Sequence, residues 1–407
     1  MATKLVVYSV CLAFVAAALP IPEVHAASVV GWGLNDRGQL NTPAGSNYVA
    51  IASGGYHGLA LTTDGTIVPW GNDSSGQVSS TPGGNGFRSI AAGEWHSLAI
   101  RADGSIVAWG DNSWGQATPP SGNNFVAVSG GTRWSLALRS DGSLVAWGDD
   151  EYGQRSELPT GNDFKAIAAG QWHGLALKND GSLVSWGSDE SRQKSDTPVG
   201  SGFKAIATCL RTSYALRSDG SIEAWGRDAY GQVTNKPTGG GFTAIASQHE
   251  TGVALAADGS IVCWGCSDDG RANPPEANQF TAIAAGGATG FALQTGVRVY
   301  LEDDLGLPLD GQSIKVQPAY GGSWGPVFEG VTEGDGGFRC EMTPGYTKIR
   351  MTFNQASVEQ TVAELTASGY TWTAVAATVK VVDHQGQGIA GVKVSQGGSV
   401  WVDHGYT

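Results

Sequence analysis

Basic residues are scarce in this sequence. Lys and Arg number 24 against 37 Asp and Glu, which gives a formal net charge of −13. No cluster of Lys or Arg occurs along the chain. A protein that binds duplex nucleic acid has to neutralise phosphates with a basic surface. Nucleic acid is therefore not expected as a partner.

Long apolar runs are also scarce, and the chain has only one. It covers Leu5–Leu19, follows Lys4 and precedes the small-residue pattern of residues 24–26. These features predict a secretory signal over residues 1–26, with an uncleaved anchor as the alternative. The run is too short for a comfortable membrane span, and no later stretch is apolar enough for one. We therefore expect a secreted or cell-surface protein without a transmembrane segment in its mature chain.

Cysteine is rare, since the chain has only five. Cys11 lies in the predicted signal, and Cys209, Cys263, Cys266 and Cys340 remain. Four cysteines suit an oxidising compartment without forming a dense disulfide framework, and their disulfide state is left open. The Cys263–Cys266 pair has C-x-x-C spacing, but it lies in a strand pattern rather than at a strand-to-helix turn. No redox site is predicted from it.

Glycine, in contrast, is abundant, and tryptophan is periodic. Seven Trp-Gly pairs recur at intervals of 38 or 39 residues. Their tryptophans are Trp32, Trp70, Trp109, Trp147, Trp186, Trp225 and Trp264. A fixed period of this kind is the signature of a repeat architecture. It points to a rigid platform that displays loops rather than to a conventional catalytic pocket.

Each repeat contains short apolar runs that end at turn residues. In the unit Phe87–Gln116, the runs are separated by Gly93, Asp103-Gly104 and Gly110. Such runs predict short strands, and Asp-Gly between two of them predicts a tight hairpin because Gly accepts a positive φ. Strands such as Ile106–Trp109 are apolar on both faces, as expected for a small sheet packed between two others. Four such strands per unit, arranged radially, form a β-propeller.

The number of repeats predicts how the ring closes. Six complete units start at Tyr48, Phe87, Phe125, Phe164, Phe203 and Phe242. A seventh starts at Phe280 and stops near Gln294, while Ser28–Gln39 supplies the end of a unit without its beginning. We expect the N-terminal strands to complete the seventh blade. The predicted fold is all-β, with a seven-bladed β-propeller over residues 27–296.

The repeat resembles that of the regulator of chromosome condensation family. The pattern G-x-x-H-S-L-A-L, D-G, A-W-G-x-N, G-Q is nearly intact from Gly93 to Gln116, and the resemblance covers residues 28–295. The short period, the Pro after Gly-Gln and the predicted signal look most like the secreted bacterial β-lactamase inhibitory proteins of propeller type. They look less like the nuclear nucleotide-exchange factor. The resemblance implies a propeller that binds proteins.

A second internal repeat begins after residue 296. Val297–Val316 and Val379–Val394 share their pattern at an offset of about 80 residues. Alternating short strands with Gly turns predict a β-sandwich, which resembles the immunoglobulin-like modules of bacterial surface proteins. We expect one such module over residues 297–376 and an incomplete second copy over residues 377–407.

Catalytic and metal-binding patterns are weak. A G-x-S-x-G match at residues 321–325 lies between strand patterns, whereas a nucleophile elbow needs a strand, a turn and a helix. His57, His96 and His173 hold positions where other units have Trp134 or Thr, so we interpret them as groups that hydrogen-bond between blades. No pair of carboxylates is suited to acid–base catalysis. We predict no enzyme activity, no cofactor and no metal.

The two faces of the predicted ring differ in composition. Because strands within a blade are antiparallel, the first and third loops emerge on one face and the Asp-Gly turns on the other. The first and third loops vary, and they carry aromatic residues with acidic neighbours such as Glu94 and Asp150. Such rings are typical of binding hot spots. The predicted partner-binding residues are Tyr56, Trp95, Trp114, Trp134, Tyr152, Trp172 and Tyr230.

These features together predict an exported recognition platform that binds a protein, in the manner of an inhibitor, through its aromatic and acidic loops. The acidic neighbours favour a partner with a basic surface. Two alternatives remain. The same rings could bind an extracellular or cell-wall glycan, or the loops could form the divergent site of an enzyme.

Overall fold

The structure is a computed structural model that describes residues 27–276 and 280–294 with their side chains. It also describes the backbone of Tyr8–Ser9 and of nine strands between residues 297 and 382. The rest of the predicted signal and residues 383–407 of the predicted second module lie outside the described residues. The chain divides into two compact units, one ending at Gln294 and one containing the strands from Val297 onward.

The first unit contains seven sheets, each with three antiparallel strands and one of them with an additional short parallel strand, numbered here as blades 1 to 7 in the order of their inner strands. The inner strands are Tyr48–Ser53, Phe87–Ala92, Phe125–Gly130, Phe164–Ala169, Phe203–Thr208, Phe242–Gln248 and Phe280–Gly286. The middle strands are His57–Thr62, His96–Arg101, Trp134–Arg139, His173–Lys178, Thr212–Arg217, Thr251–Ala256 and Thr289–Gln294. The outer strands are Ile67–Gly71, Ile106–Gly110, Leu144–Gly148, Leu183–Gly187, Ile222–Gly226, Ile261–Gly265 and, in blade 7, Ser28–Gly33. The β-propeller is confirmed.

Two further elements of the first unit are short. Tyr8–Ser9 pairs in parallel with the inner strand of blade 2. A single 3-10 turn, Asp268–Gly270, follows the outer strand of blade 6. No helix among the described residues has the length and apolarity to span a bilayer.

The prediction of four strands per unit is wrong. After the outer strand of every blade except blade 6, Asp or Asn side chains rather than a fourth strand bind main-chain N–H groups of the third loop. In blade 3, Asp150 Oδ1 accepts the N–H groups of Arg155 and Ser156 at 2.7 and 2.9 Å, and Gln154 Oε1 accepts that of Tyr152 at 2.8 Å. These Asp and Gln side chains replace the backbone hydrogen bonds that a fourth strand would have formed.

The N-terminal segment closes the ring, as predicted, although it supplies one strand. Ser28–Gly33 pairs antiparallel with the middle strand of blade 7, and the pairing sets Val29 opposite Leu293. Val29 and Trp32 are buried, and the Trp32 indole N–H donates to the Arg271 carbonyl at 3.1 Å. Blade 7 is therefore built from the two ends of the propeller sequence.

The tryptophan of each Trp-Gly pair links its blade to the preceding unit. Each indole N–H donates to a backbone carbonyl of that unit at 2.8–3.1 Å. In six of the seven bonds, the acceptor is the glutamine that ends the preceding third loop. The tryptophan period in the sequence is therefore the period of blade packing.

The histidines at the start of middle strands form a second set of contacts between blades. The Nε2 atom of each lies 2.8–2.9 Å from a serine hydroxyl of the next blade. The pairs are His57–Ser97, His96–Ser135 and His173–Ser213. Where a blade has Trp or Thr instead of the histidine, the next blade has glycine instead of that serine. These glycines are Gly174, Gly252, Gly290 and Gly58. The interpretation of the histidines as hydrogen-bonding groups between blades is confirmed.

Arg192 occupies a strained backbone position in the third loop of blade 4. Its φ is 64°, where the other six third loops have glycines with φ of 73–82°. We expect Arg192→Gly to raise the free energy of unfolding by about 1 kcal/mol, because a side chain is disfavoured in this region. The exposed ion pair with Asp196, at 4.0 Å, is also lost, but such a surface pair contributes little.

Denaturant unfolding checks this expectation, with Gly115→Ala as the matched control. A Cβ at Gly115 would meet nothing within 4 Å, so the control changes only the backbone preference at φ 80°. It should lower stability by about 1 kcal/mol. A less stable Arg192→Gly chain would show that the arginine is not strained.

The second unit contains two antiparallel sheets. One has the strand order Gly337–Cys340, Val297–Glu302, Ala377–Val382, Tyr370–Ala374. The other has the order Ser323–Trp324, Ser313–Tyr320, Lys348–Phe353, Ala356–Thr361, with Phe328–Val331 also paired to Ser313–Tyr320. Ala377–Val382 thus shares a sheet with Val297–Glu302, although the sequence predicts a boundary after residue 376. The immunoglobulin-like fold stays a prediction.

Candidate functional site

Backbone hydrogen bonds sort the loops of the propeller onto two faces. In blade 1, the Asn72 N–H donates to the Tyr56 carbonyl at 2.9 Å, so the third loop runs beside the first loop. At the other end of the blade, the Phe87 N–H donates to the Gly65 carbonyl at 3.0 Å, so the blade linker runs beside the Asp-Gly turn. We call these ends the loop face and the Asp-Gly face. The predicted grouping of loops is confirmed.

In every blade except blade 6, the third loop ends with a glutamine that also fixes the residue at the loop tip. Its side-chain oxygen accepts the N–H of the residue two positions earlier at 2.7–2.9 Å. Because these glutamines are fully buried, they anchor the tips from below. The aromatic pairs of this kind are Gln116 with Trp114, Gln154 with Tyr152 and Gln232 with Tyr230.

The residues that end the first loops form a ring on the loop face. In blades 1 to 7 they are Tyr56, Trp95, Arg133, Trp172, Arg211, Glu250 and Ala288. Aromatic residues predominate in the first four blades. We call the loop face of blades 1 to 4 the aromatic half.

Two groups of stacked side chains form the aromatic half. Tyr56 and Trp95 stack with their ring centroids 5.1 Å apart, and the Arg37 guanidinium lies 5.6 Å from the Tyr56 ring. In the second group, Arg133 lies 4.8 Å from the Trp114 ring and 5.6 Å from the Trp172 ring. The Trp172 and Tyr152 centroids are 5.2 Å apart. We call the second group, Trp114–Arg133–Trp172–Tyr152, the arginine stack.

The predicted binding residues differ in exposure. Trp114 and Tyr230 are each 48% exposed, which makes them the most accessible rings of the set. Tyr56, Trp95, Tyr152 and Trp172 are half-buried, because each stacks on a neighbour. Tyr230 follows the outer strand of blade 5 and belongs to neither group.

Trp134 does not belong to this surface. It is the first residue of the middle strand of blade 3 and is fully buried. Its indole N–H donates to the Gly170 carbonyl at 3.0 Å, and its ring meets Trp186 edge-on at 6.5 Å. The prediction placed it on the face because the first loop of blade 3 was taken to be one residue too long. The last residue of that loop is Arg133, which the prediction missed, and alignment of Trp134 with His57 is the signal that would have found it.

Blades 5 and 6 present ion pairs at the equivalent positions. The Arg211 guanidinium lies 3.4 Å from the Glu190 carboxylate, and the Arg227 guanidinium lies 3.5 Å from that of Glu250. These charges already have partners within the chain. The loop face is thus aromatic on one side and charge-paired on the other.

A pocket of about 100 Å³ opens at the centre of the loop face, lined by all seven blades. Its wall is mostly Gly and Ala backbone, with Glu94, Cys209 and His249 among the polar residues. Burial lowers the pKa of His249 to about 4 and raises that of Cys209 to about 12, so both are neutral near pH 7. Within residues 27–276 and 280–294, no three His, Cys, Asp or Glu side chains are grouped to hold a metal ion.

Four segments of the chain match the family model of the regulator of chromosome condensation (RCC1) repeat, over residues 48–77, 87–116, 125–154 and 164–193. A search of curated proteins finds no match. The structure is similar to Prp20p from Saccharomyces cerevisiae, with a TM-score of 0.56 and 18% identity over 67% of this chain and 92% of that chain.

Two other solved structures are similar to the propeller. Human WBSCR16 has a TM-score of 0.55 and 17% identity over 66% of this chain and 99% of that chain. The ectodomain of the Physcomitrella patens receptor kinase CR4 has a TM-score of 0.50 and 21% identity over 64% of this chain and 69% of that chain. At these identities the likeness shows a common fold.

Proposed function

We propose that this chain, whose propeller is built from RCC1 repeats, is an exported recognition platform that binds a protein partner through its aromatic half, in the manner of an inhibitor. The predicted signal over residues 1–26 supports export. The RCC1-like fold supports a platform role, since it is rigid and displays loops from every blade.

The arginine stack is the observation that carries the proposal. Four side chains from three successive blades hold one another in place, and buried glutamines anchor two of the tips. Rings held in this way lose little conformational freedom on binding. Half-exposed Trp and Tyr rings on such a support are the composition of an interface hot spot.

The solved relative Prp20p gives a second line of support. Its structure was described together with its binding to Gsp1p and histones, so at least one similar propeller binds proteins. Its partners do not transfer to this chain at 18% identity. The shared element is a propeller that offers its loops to another macromolecule.

A non-catalytic role fits the central pocket. Near pH 7 its buried thiol is protonated and its histidine is neutral, because burial raises the pKa of Cys209 and lowers that of His249. A nucleophilic cysteine needs a lowered thiol pKa, which is the opposite shift. We propose that the pocket residues shape the centre of the binding face.

An alanine scan against a captured partner tests the proposal. The partner is isolated from culture supernatant with the full chain as bait, and its affinity is measured by calorimetry. Trp95→Ala and Trp114→Ala should each weaken binding by about 30-fold, which corresponds to about 2 kcal/mol for a hot-spot ring. Asp103→Ala and Asp141→Ala, on the Asp-Gly face, are the matched controls and should leave affinity unchanged.

Other outcomes would overturn the assignment. Losses confined to Asp103→Ala and Asp141→Ala would move the interface to the opposite face. Retention of the chain on a polysaccharide column, without any protein partner, would favour the glycan-binding alternative. Turnover of the captured molecule would favour an enzyme.

A further inference from the structure

Arg133 is held by aromatic rings at the centre of the arginine stack. Its guanidinium lies 4.8 Å from the Trp114 ring and 5.6 Å from the Trp172 ring. A guanidinium is planar and can contact aromatic rings while its N–H groups remain free to donate hydrogen bonds. The contacts with the two rings therefore leave the N–H edge of Arg133 able to bind an acceptor.

The edge of Arg133 has no acidic partner among the described residues. The ion pairs and side-chain hydrogen bonds of the propeller do not include its guanidinium. Arg211 holds the equivalent position in blade 5, and its guanidinium is paired with the Glu190 carboxylate at 3.4 Å. At the same repeat position, Arg211 therefore has a carboxylate partner and Arg133 has none among the described residues.

We propose that Arg133 binds a carboxylate of the protein partner, with the two indole rings of Trp114 and Trp172 holding the guanidinium in position. This proposal rests on the proposed function and deepens it, since it names the chemical group that the aromatic half recognises. The carboxylate comes from an acidic side chain or from the C-terminus of the partner, and two parallel N–H···O bonds are the geometry that an arginine fork offers.

The neighbouring charges favour a carboxylate over a phosphate. Asp150 and Glu151 precede Tyr152 in the arginine stack, and Glu94 precedes Trp95 on the same half. A group with one negative charge meets less repulsion from these acids than a group with two. The partner is thus expected to present one carboxylate within a surface that is otherwise neutral or basic.

Small peptides of known composition test this proposal without the natural partner. The probes are acetyl-Gly-Glu-amide, acetyl-Gly-Gln-amide, acetyl-Gly-Gly with a free carboxyl terminus, and inorganic phosphate. The readout is the Nε–Hε signal of Arg133 in the full chain labelled with ¹⁵N-arginine, assigned by its loss in Arg133→Lys.

We expect a saturable shift of this signal with the Glu peptide or the free C-terminus, and the stronger of the two identifies the source of the carboxylate. The Gln peptide should give no shift. The Nε–Hε signal of Arg211 is the internal control and should stay unchanged. A shift produced by phosphate alone, or equal shifts with the Glu and Gln peptides, would overturn the proposal.

The captured partner provides the second test. Lys keeps the charge and can still contact both rings, but it lacks the planar fork. Arg133→Lys should therefore weaken partner binding by at least 10-fold, while Arg211→Lys should change it less than 2-fold. If Trp114→Ala weakens binding and Arg133→Lys does not, the proposed function stands and the carboxylate proposal fails. If neither has an effect, the proposed interface itself is wrong.

Discussion

Deletion of residues 27–39 is expected to unfold the propeller or to make it aggregate. The deletion removes the outer strand of blade 7, including the buried side chains of Val29 and Trp32. It also leaves the middle strand of that blade, Thr289–Gln294, with an unpaired edge, which is a site for association with other chains. Loss of a buried Trp alone costs about 3–5 kcal/mol, so the whole strand accounts for much of a typical domain's stability.

Two point variants separate closure from a general effect of truncation. Val29→Asp places a charge on the buried face of the strand, whereas Val30→Asp places it on the partly exposed face. Thermal unfolding should show a large loss for the first and a small one for the second. Adding a peptide of residues 27–47 to the truncated chain should restore part of the stability. A truncated chain that stays monomeric and melts at the parental temperature would show that the N-terminal strand does not close the ring.

Mild acid is expected to destabilise the propeller strongly. Burial lowers the pKa of His57 to about 3 and those of His96 and His173 to about 4, from an ordinary value of 6.5. Between pH 6.5 and pH 4 the unfolded chain binds protons that the folded chain does not. Stability therefore falls as the pH is lowered through this window, by about 2 kcal/mol per histidine at pH 5 and roughly 6 kcal/mol for the three together.

Denaturant unfolding at pH 7 and pH 5 measures this loss. A variant with His57, His96 and His173 replaced by Gln should be less stable at pH 7 but should lose much less on acidification, since His249 is then the only histidine left in the described propeller. The carboxylates of the Asp-Gly turns affect stability in a different pH range. Hydrogen bonds from Ser105 hold the pKa of Asp103 below its usual value, so its contribution is lost only below about pH 4. Equal losses in the parent and the triple variant would exclude the histidines as the cause.

The period of the sequence predicted most of the fold. Trp-Gly spacing gave the number of blades, because each indole bonds to the preceding unit and so recurs with the interface itself. The incomplete unit at Phe280 predicted closure by the N-terminal strand, which the pairing of Ser28–Gly33 confirms. The same alignment gave the histidines their role, since a metal site does not accept Trp and Thr as equivalents.

The predictions that were wrong or incomplete have local physical causes. The segment after an outer strand resembles a strand in its spacing, but in blade 3 the side chains of Asp150 and Gln154 bind the N–H groups that a fourth strand would have paired. Trp134 was assigned to the first loop because aromatic residues are common in these loops. It is instead the first residue of the middle strand of blade 3. Arg133 went unnoticed because the first loop of blade 3 was taken to end at Trp134, although the alignment of Trp134 with His57 makes Arg133 its last residue. Only the structure shows that the Arg133 guanidinium contacts two indole rings.

Hydrogen exchange of the captured complex shows which face of the propeller the partner covers. Peptides from the first and third loops of blades 1 to 4 should exchange more slowly when the partner is bound, most of all around Trp95, Trp114 and Trp172. The Asp-Gly turns at residues 103–104 and 141–142 should exchange at the same rate with and without the partner. Protection of the Asp-Gly turns, with the aromatic loops unchanged, would show that the partner does not bind the aromatic half.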